Sequence, residues 1–285
     1  MKIKGHQSFY IRRGWIHKGI KKVNEDKSIF TNKKLTLTDE FGIGSNMVTS
    51  LKYWLDTLGL VERKRKGNEH YHELTHLGNL ILERDPYLEE ISTWQLLHYN
   101  LATNEKLATT WYWFFNEYNG NRFSRENLFN NLNRFIQEKY EKEVSERSLK
   151  DDVNCFLSCY VKKRDIESPE DNIESPFTDL GLIEIYNKKN GEIVYQRTSK
   201  VKLDVRVAFH VMKNQAKENK AMDLKNIIYS PNNIGKIFSL NMYEVIDILE
   251  KLQDLGYINF TRTGGLDYIT FAKSPSLQEI MTNMF

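Results

Sequence analysis

A four-residue phrase occurs three times in the chain and limits what it can fold into. Leu58-Gly59-Leu60-Val61, Leu180-Gly181-Leu182-Ile183 and Leu255-Gly256-Tyr257-Ile258 each run leucine, glycine, apolar residue, β-branched residue. The leucine ends an apolar helix face, and the glycine takes the left-handed backbone that stops a helix. The two residues that follow open a strand. A helix stop fused to a strand start, repeated, points to recurring helix–hairpin units rather than one long bundle.

The residues around each phrase support this. Leu35 to Phe41 predicts a short helix, Gly42-Ile43-Gly44 a tight turn, and Ser45 an N-cap. Asn46 to about Leu58 then carries Met47, Val48, Leu51, Trp54, Leu55 and Leu58 at helical spacing. Leu60 to Leu74 reads as two strands around a glycine turn. At the C-terminus, Pro231 to Phe238 is a short helix or turn. Asn241 to Leu255 is the longer helix, with Met242, Val245, Ile246, Leu249 and Leu252 inward, and Tyr257 to Phe271 is a hairpin around Gly264-Gly265. A middle copy is expected from Ser124–Tyr140, a helix capped by Ser145 or Ser148, an acidic loop from Asp165 to Asp179, and a hairpin from Leu182 to Gln196. Aromatic-rich helix from Ile91 to Tyr118 and a connecting helix over 201–222 join the units.

Helix, glycine turn, longer helix and hairpin is the order of a winged helix-turn-helix. The expected fold is mainly α with small β-hairpins: tandem winged helix-turn-helix units joined by helical segments. Residues 1–84 are read as an N-terminal arm and a basic winged helix. Residues 85–200 are a helical region with a second such unit, and 201–285 a connecting helix and the C-terminal unit.

Composition bears on partners. The 285 residues are 40% hydrophobic, enough for real cores. No apolar run approaches the ~18 residues of a membrane span, and Met1 to His6 has no apolar signal region, so a soluble cytoplasmic protein is expected. Cys155 and Cys159 make no disulfide framework and read as semi-buried structural residues. Residues 1–82 hold 15 Lys and Arg against 8 Asp and Glu, whereas the rest of the chain is slightly acidic. Positive potential at the front suits a polyanion, although a generally Lys-, Asn- and Ile-rich chain yields some of the same excess.

Candidate DNA-binding residues follow. Arg63, Lys64, Arg65 and Lys66 form a basic hairpin tip suited to phosphates, with a solvated turn as the alternative. The outer face of the preceding helix offers Ser45, Asn46, Thr49, Lys52 and Tyr53. In the arm, His6, Arg12 and Lys18, with Arg13 beside them, are candidates for a phosphate. The same segment reads equally well as an arm packing Phe9 and Trp15 onto the first unit. The C-terminal helix differs: Glu244, Asp247, Glu250 and Asp254 repel phosphate and point to a protein-interaction face or a solvated one. His72-Glu73-Leu74-Thr75-His76 has the letters of a zinc hydrolase motif, which requires a helix. Here it begins in a strand, where four residues span about 13 Å, so no metal is assigned. No phosphate loop, dinucleotide fingerprint or nucleophile elbow is present, and no cofactor is evident.

Several spaced residues carry a family resemblance. His6-x-Ser8-Phe9-x-x-Arg12-x-Gly14-Trp15-x-x-Lys18-Gly19 and Gly42-x-Gly44-x-Asn46-Met47-Val48-x-Ser50-x-x-x-Trp54 are two of the motifs. Asp152-Val153-x-Cys155-Phe156-Leu157 and Glu174-Ser175-Pro176-Phe177-x-x-Leu180-Gly181-Leu182 are two more. Together they resemble the domain-of-unknown-function family numbered four thousand and seven, the SspB-like component of bacterial DNA phosphorothioation gene clusters. The resemblance implies duplex DNA as partner, a role in sulfur modification or the linked antiphage defence, and DNA nicking with a divalent ion such as magnesium. It also implies a cysteine desulfurase, an ATP pyrophosphatase and an ATPase as partners. It supplies no catalytic residues. The residues alone leave open a tandem winged-helix replication initiator or transcriptional regulator without enzymatic activity, or a scaffold that binds proteins.

Overall fold

The computed structural model describes residues 1–32, 36–162, 174–189, 191–198 and 202–282. Leu35 and residues 165–173 of the expected acidic loop lie outside them. Among the described residues the fold is mainly helical with three small antiparallel sheets.

The first unit runs α1 (Arg13–Glu25), α2 (Leu37–Phe41), α3 (Ser45–Thr57), then strands β1 (Val61–Lys66) and β2 (Glu69–Leu74). The strands pair from Val61↔Leu74 to Lys66↔Glu69 around Gly67-Asn68. Where a third strand would pair with β2, one hydrogen bond remains, from the His72 N–H to the Lys27 carbonyl at 2.8 Å. After α4 (His76–Arg84) and α5 (Ile91–Thr103), α6 (Thr109–Tyr112) continues into a π-helical turn, Trp113–Glu117.

The second unit comprises β3 (Arg122–Ser124), α7 (Arg125–Tyr140), α8 (Glu146–Tyr160), a 3-10 turn at Pro176–Leu180, β4 (Ile183–Lys189) and β5 (Glu192–Arg197), with strand order β3-β5-β4. The third comprises α9 (Val205–Ala216), β6 (Ala221–Asp223), α10 (Leu224–Tyr229), α11 (Ile234–Ile237), α12 (Met242–Asp254), β7 (Ile258–Thr263) and β8 (Leu266–Phe271), with order β6-β8-β7. The short α13 (Leu277–Thr282) follows.

The repeated phrase does the same local work in the first and third units. Leu58 and Leu255 both sit at φ −76°, ψ −4°, and Gly59 and Gly256 follow at φ +70° and +69°. The Leu60 N–H reaches back to the Leu55 carbonyl at 3.0 Å, and the Tyr257 N–H to the Leu252 carbonyl at 2.9 Å. This is the six-to-one bond that closes a helix on a left-handed glycine. Gly181 stops the 3-10 turn of the second unit at φ +62°.

Four local expectations change. Residues 13–25 form a helix rather than a continuation of the arm. Its stripe Trp15, Ile16, Ile20 and Val23 is buried, and Gly19 lies so close to α3 that a Cβ there would come 2.7 Å from Leu55 Cδ1. Gly44, not Ser45, is the N-cap of α3. The connecting helix stops at Ala216, and 221–223 is a strand. On α12, Met242 is exposed and Ile248 takes the buried place, because the stripe starts one turn later than the apolar letters suggest.

One continuous apolar cluster runs through all three units. Its centre is aromatic: Trp54, Trp94, Trp111, Phe114, Phe115, Phe156, Tyr160 and Phe177 are each essentially inaccessible. Cys155 and Cys159 are buried and unbridged, and burial pushes the Cys155 thiol well above its usual range. Among the described residues no helix is long and apolar enough to cross a membrane.

Candidate nucleic-acid interface

The N-terminal arm fixes one side of α3. Trp54 Nε1–H donates to the Phe9 carbonyl at 3.1 Å, and the Ser50 hydroxyl donates to the same oxygen at 3.3 Å. His6 Nδ1 accepts from the Ser8 N–H at 3.1 Å, so its proton sits on Nε2, which donates to Asp152 Oδ1 at 2.8 Å. Thr110 donates to the other oxygen of Asp152, and the Lys4 N–H bonds the first at 2.5 Å. This closed buried network ties the arm to α8.

Two of the sequence candidates therefore face inward. His6 is 1% exposed and held by Asp152, and Tyr53 is 4% exposed with its hydroxyl on the Leu107 carbonyl. Neither reaches an outside phosphate. The trio His6, Arg12 and Lys18 is not a unit. Arg12 is half-buried over the Trp15 ring, 5.0 Å from its centroid. Lys18 donates to the Phe41 carbonyl at 2.5 Å, at the C-terminus of α2, where a cation is favoured. Arg13 bonds the Leu88 carbonyl and Asp179, pinning the first unit to later segments.

The remaining candidates share an outer face. Ser45, Asn46 and Thr49 are exposed on the first turns of α3, and Lys52 is half-buried one turn on. Thr49 donates back to the Ser45 carbonyl at 3.2 Å, which leaves its oxygen as an acceptor. The four consecutive cations do not crowd the hairpin tip as expected. They run along β1, so Arg63 and Arg65 lie on one face and Lys64 and Lys66 on the other. Lys64 pairs with Glu62 at 2.8 Å, and Arg65 folds onto the Gly67 carbonyl at 2.7 Å.

Lys52 of α3 and Arg63 of β1 converge on His72. That imidazole is fully buried against Phe30, and among the described residues neither ring nitrogen has a hydrogen-bond partner. Burial first, then the charges of Lys52 and Arg63, push its pKa down to about 4. Asp56 faces the same cations together with Lys2, yet burial raises its pKa on balance. Helix α3 and strand β1 thus present a surface with more cations than carboxylates, with Asp56 half-buried within it and Glu62 paired to Lys64. His76 is exposed at the start of α4, beyond the Thr75 cap, while His72 is buried in β2. The zinc-like letters therefore straddle a strand end and a helix start, as their position in the hairpin implied.

The corresponding helix of the third unit is chemically different. Glu244 closes a capping box on Asn241, so it belongs to the helix end rather than to a docking face. Asp247, Glu250 and Asp254 are exposed, and Asp247 pairs with Lys251 at 2.6 Å. Beside them Tyr243 is 79% exposed.

Sequence reasoning passed over two further cations, Arg197 and Lys236, which meet in a cleft between the second and third units. No motif announces them, since their spacing is set only by the packing of two units. Among the described residues no three His, Cys, Asp or Glu side chains converge as around a metal.

Comparison with known proteins agrees with this architecture. A family model described as "Protein of unknown function (DUF4007)" matches residues 3–285. Two crystal structures are similar in fold over nearly the whole chain. Magnesium ion-bound SspB has a TM-score of 0.85 and 23% identity, covering 99% of this chain and 86% of its own. SspB without that description has a TM-score of 0.84, the same identity and the same coverage. No curated protein matches in sequence.

Proposed function

The chain belongs to the DUF4007 family, and on that footing we propose that it binds duplex DNA through its first unit, as a component of a bacterial DNA phosphorothioation and antiphage-defence system. The three units are read as winged helix-turn-helix modules: helices followed by a hairpin, preceded in the second and third units by a strand that pairs with the last strand of the hairpin. In the first unit the His72–Lys27 bond stands in for the missing strand. In such modules the long helix enters the major groove and the hairpin reaches the backbone.

The observation that carries the reading is the joint surface of α3 and β1. Ser45, Asn46, Thr49 and Lys52 offer short polar groups and one cation beside Arg63, Lys64, Arg65 and Lys66. Arg12, Arg13 and Lys18 are partly committed to contacts within the protein: the Trp15 ring, the Leu88 carbonyl with Asp179, and the Phe41 carbonyl. Asp247, Glu250 and Asp254 are assigned to contact with partner proteins of the system, the desulfurase, ATP pyrophosphatase and ATPase that the family resemblance implies. That resemblance also extends the reading to nicking. Among the described residues no three His, Cys, Asp or Glu side chains converge, and no catalytic step is assigned to named residues.

The test is duplex binding measured across salt concentrations. Replacing Arg63, Lys64, Arg65 and Lys66 together by Ala should weaken binding. It should also flatten the dependence of log K on log salt by about 0.9 per lost phosphate contact. An unchanged affinity and slope would reduce the basic strand to a solvated hairpin. Conversion of supercoiled plasmid to open circle in magnesium, by the intact protein with its partners, tests nicking separately.

A further inference from the structure

Arg197 ends β5 inside a cleft of about 380 Å³ that runs between the second and third units. Its Nε–H donates to the Gly120 carbonyl at 3.2 Å, and Nη1 to the Ser239 hydroxyl at 3.1 Å. Nη2 serves the carbonyls of Phe114 and Tyr118, the latter at 2.9 Å. The guanidinium lies over the Phe114 ring, 3.9 Å from its centroid. These acceptors hold the group in place but are all neutral. Lys236 of α11 faces the same cleft and donates to Asn119 Oδ1 at 2.8 Å. Neither cation forms an ion pair among the described residues. Glu117, the acid whose charge reaches Lys236, lies within 4.0 Å of Lys139 instead.

Two cations facing one cleft, with no carboxylate among the described residues that line it, repel each other. Burial lowers the pKa of both, and Arg197 adds to the effect on Lys236. Arg197 retains one N–H and Lys236 two beyond the bonds above, enough to hold an oxyanion from two directions. Asn121 lines the same space, and Tyr229 forms part of its wall with 63% of its surface open. An exposed aromatic face beside fixed cations is how proteins hold a base next to its phosphate. The volume suits a group of that size.

We propose that this cleft binds the phosphate of a nucleotide, held by Arg197 and Lys236, with the base on the ring of Tyr229. The site is separate from the α3–β1 surface and does not rest on duplex binding there.

Calorimetry on the full chain tests it with five probes: inorganic phosphate, deoxyadenosine, dAMP, and an oligothymidine with or without a 5′-phosphate. Either dAMP or the 5′-phosphorylated strand should bind saturably, and deoxyadenosine should not. Lys236→Gln should weaken that binding at least tenfold and Tyr229→Ala severalfold. Both positions lie outside the core, and the melting temperature without ligand should stay unchanged in both variants. Binding of dAMP identifies a free nucleotide as the source, whereas binding of the phosphorylated strand alone identifies a DNA end. The four-Ala variant of β1 should bind as the parent does. No phosphate-dependent binding, binding indifferent to Lys236→Gln, or binding lost with the β1 variant instead would each overturn the proposal.

Discussion

Helices α3 and α12 hold the same place in the first and third units, and superposing them on their Leu-Gly stops shows where they part. Val48, Leu51 and Leu55 stand opposite Val245, Ile248 and Leu252, and all six are buried. Ser50, Tyr53, Trp54 and Thr57 stand opposite Asp247, Glu250, Lys251 and Asp254. The first set is covered, Ser50 and Trp54 by bonds to the arm, and the second is open. The acidic face of α12 is therefore the counterpart of the face that α3 buries, not of the face assigned to DNA. The counterparts of Ser45, Asn46, Thr49 and Lys52 are Met242, Tyr243, Ile246 and Leu249. A shared three-residue stripe and a glycine stop specify the unit. What each helix meets is decided by the residues left over, which is why a fold repeated three times carries no single function.

The largest effect expected from this comparison is at Trp54. Its ring is inaccessible, stacked on His6 and edge-on to Trp111. Trp54→Ala should cost about 3–5 kcal/mol through the cavity left behind. Lys251→Ala at the matching position should stay within about 0.5 kcal/mol, as exposed sites do. Lys52→Ala should keep the melting temperature and lose duplex affinity. Denaturant unfolding of the three variants, paired with a binding assay, checks all of this. A cost at Lys251 equal to that at Trp54 would break the alignment of the two helices.

Two buried histidines extend the contrast. His98 on α5 donates through Nε2 to the Ile237 carbonyl at 2.9 Å and accepts from the Tyr160 hydroxyl at 2.9 Å. It thereby joins the second and third units, while His72 in the first has no such partners among the described residues. Burial lowers the pKa of both to about 4. A group with a folded pKa below its unfolded value near 6.5 takes protons first in the unfolded state. Its stabilisation is complete above about pH 6.5 and is lost as the pH falls toward 4. For His98 this amounts to about 3 kcal/mol. His98→Leu should in addition cost about 1–3 kcal/mol at pH 8 for each partner left unpaired. His72→Leu should be nearly neutral there and should remove its share of the acid loss. Unfolding free energies at pH 8, 6 and 4.5 for the two variants decide this.

Much of the fold was legible because it rests on local rules. The three Leu-Gly phrases, the stripe of α3, the buried Trp54 and the split of the His72–His76 letters all follow from spacing and turn chemistry. Helix α1 carried an equally regular stripe, hidden by Gly14 and Gly19, because glycine lowers helix propensity wherever it stands. Gly19 is present for the close approach to Leu55, a contact that sequence spacing does not reveal. The site was less legible for the same reason. His6 and Tyr53 have the chemistry of a phosphate contact, and only the tertiary partners Asp152 and Leu107 turn them inward. Arg197 and Lys236 are 39 positions apart and meet only through packing between units.

The smallest effect concerns the glycines that end the two helices. Gly59 and Gly256 share a φ near +70°, so alanine at either should cost about 1 kcal/mol for the left-handed backbone alone. Their surroundings differ. A Cβ on Gly256 would meet the end of the Lys273 side chain, its Nζ at an ordinary 3.6 Å and its Cε at 3.8 Å. A Cβ on Gly59 would stand 3.2 Å from Asn100 Nδ2, which donates to the Leu58 carbonyl at 2.9 Å. The amide must give way by a few tenths of an ångström, which strains that bond and adds at most the ~0.5–1.5 kcal/mol the bond contributes. Gly59→Ala should therefore destabilise more than Gly256→Ala. In an Asn100→Ala background the two costs should become equal, since the amide is no longer there to be displaced. If the excess at Gly59 survives removal of Asn100, its origin is the backbone, and the two helix stops are not the equivalents that their matching dihedral angles indicate.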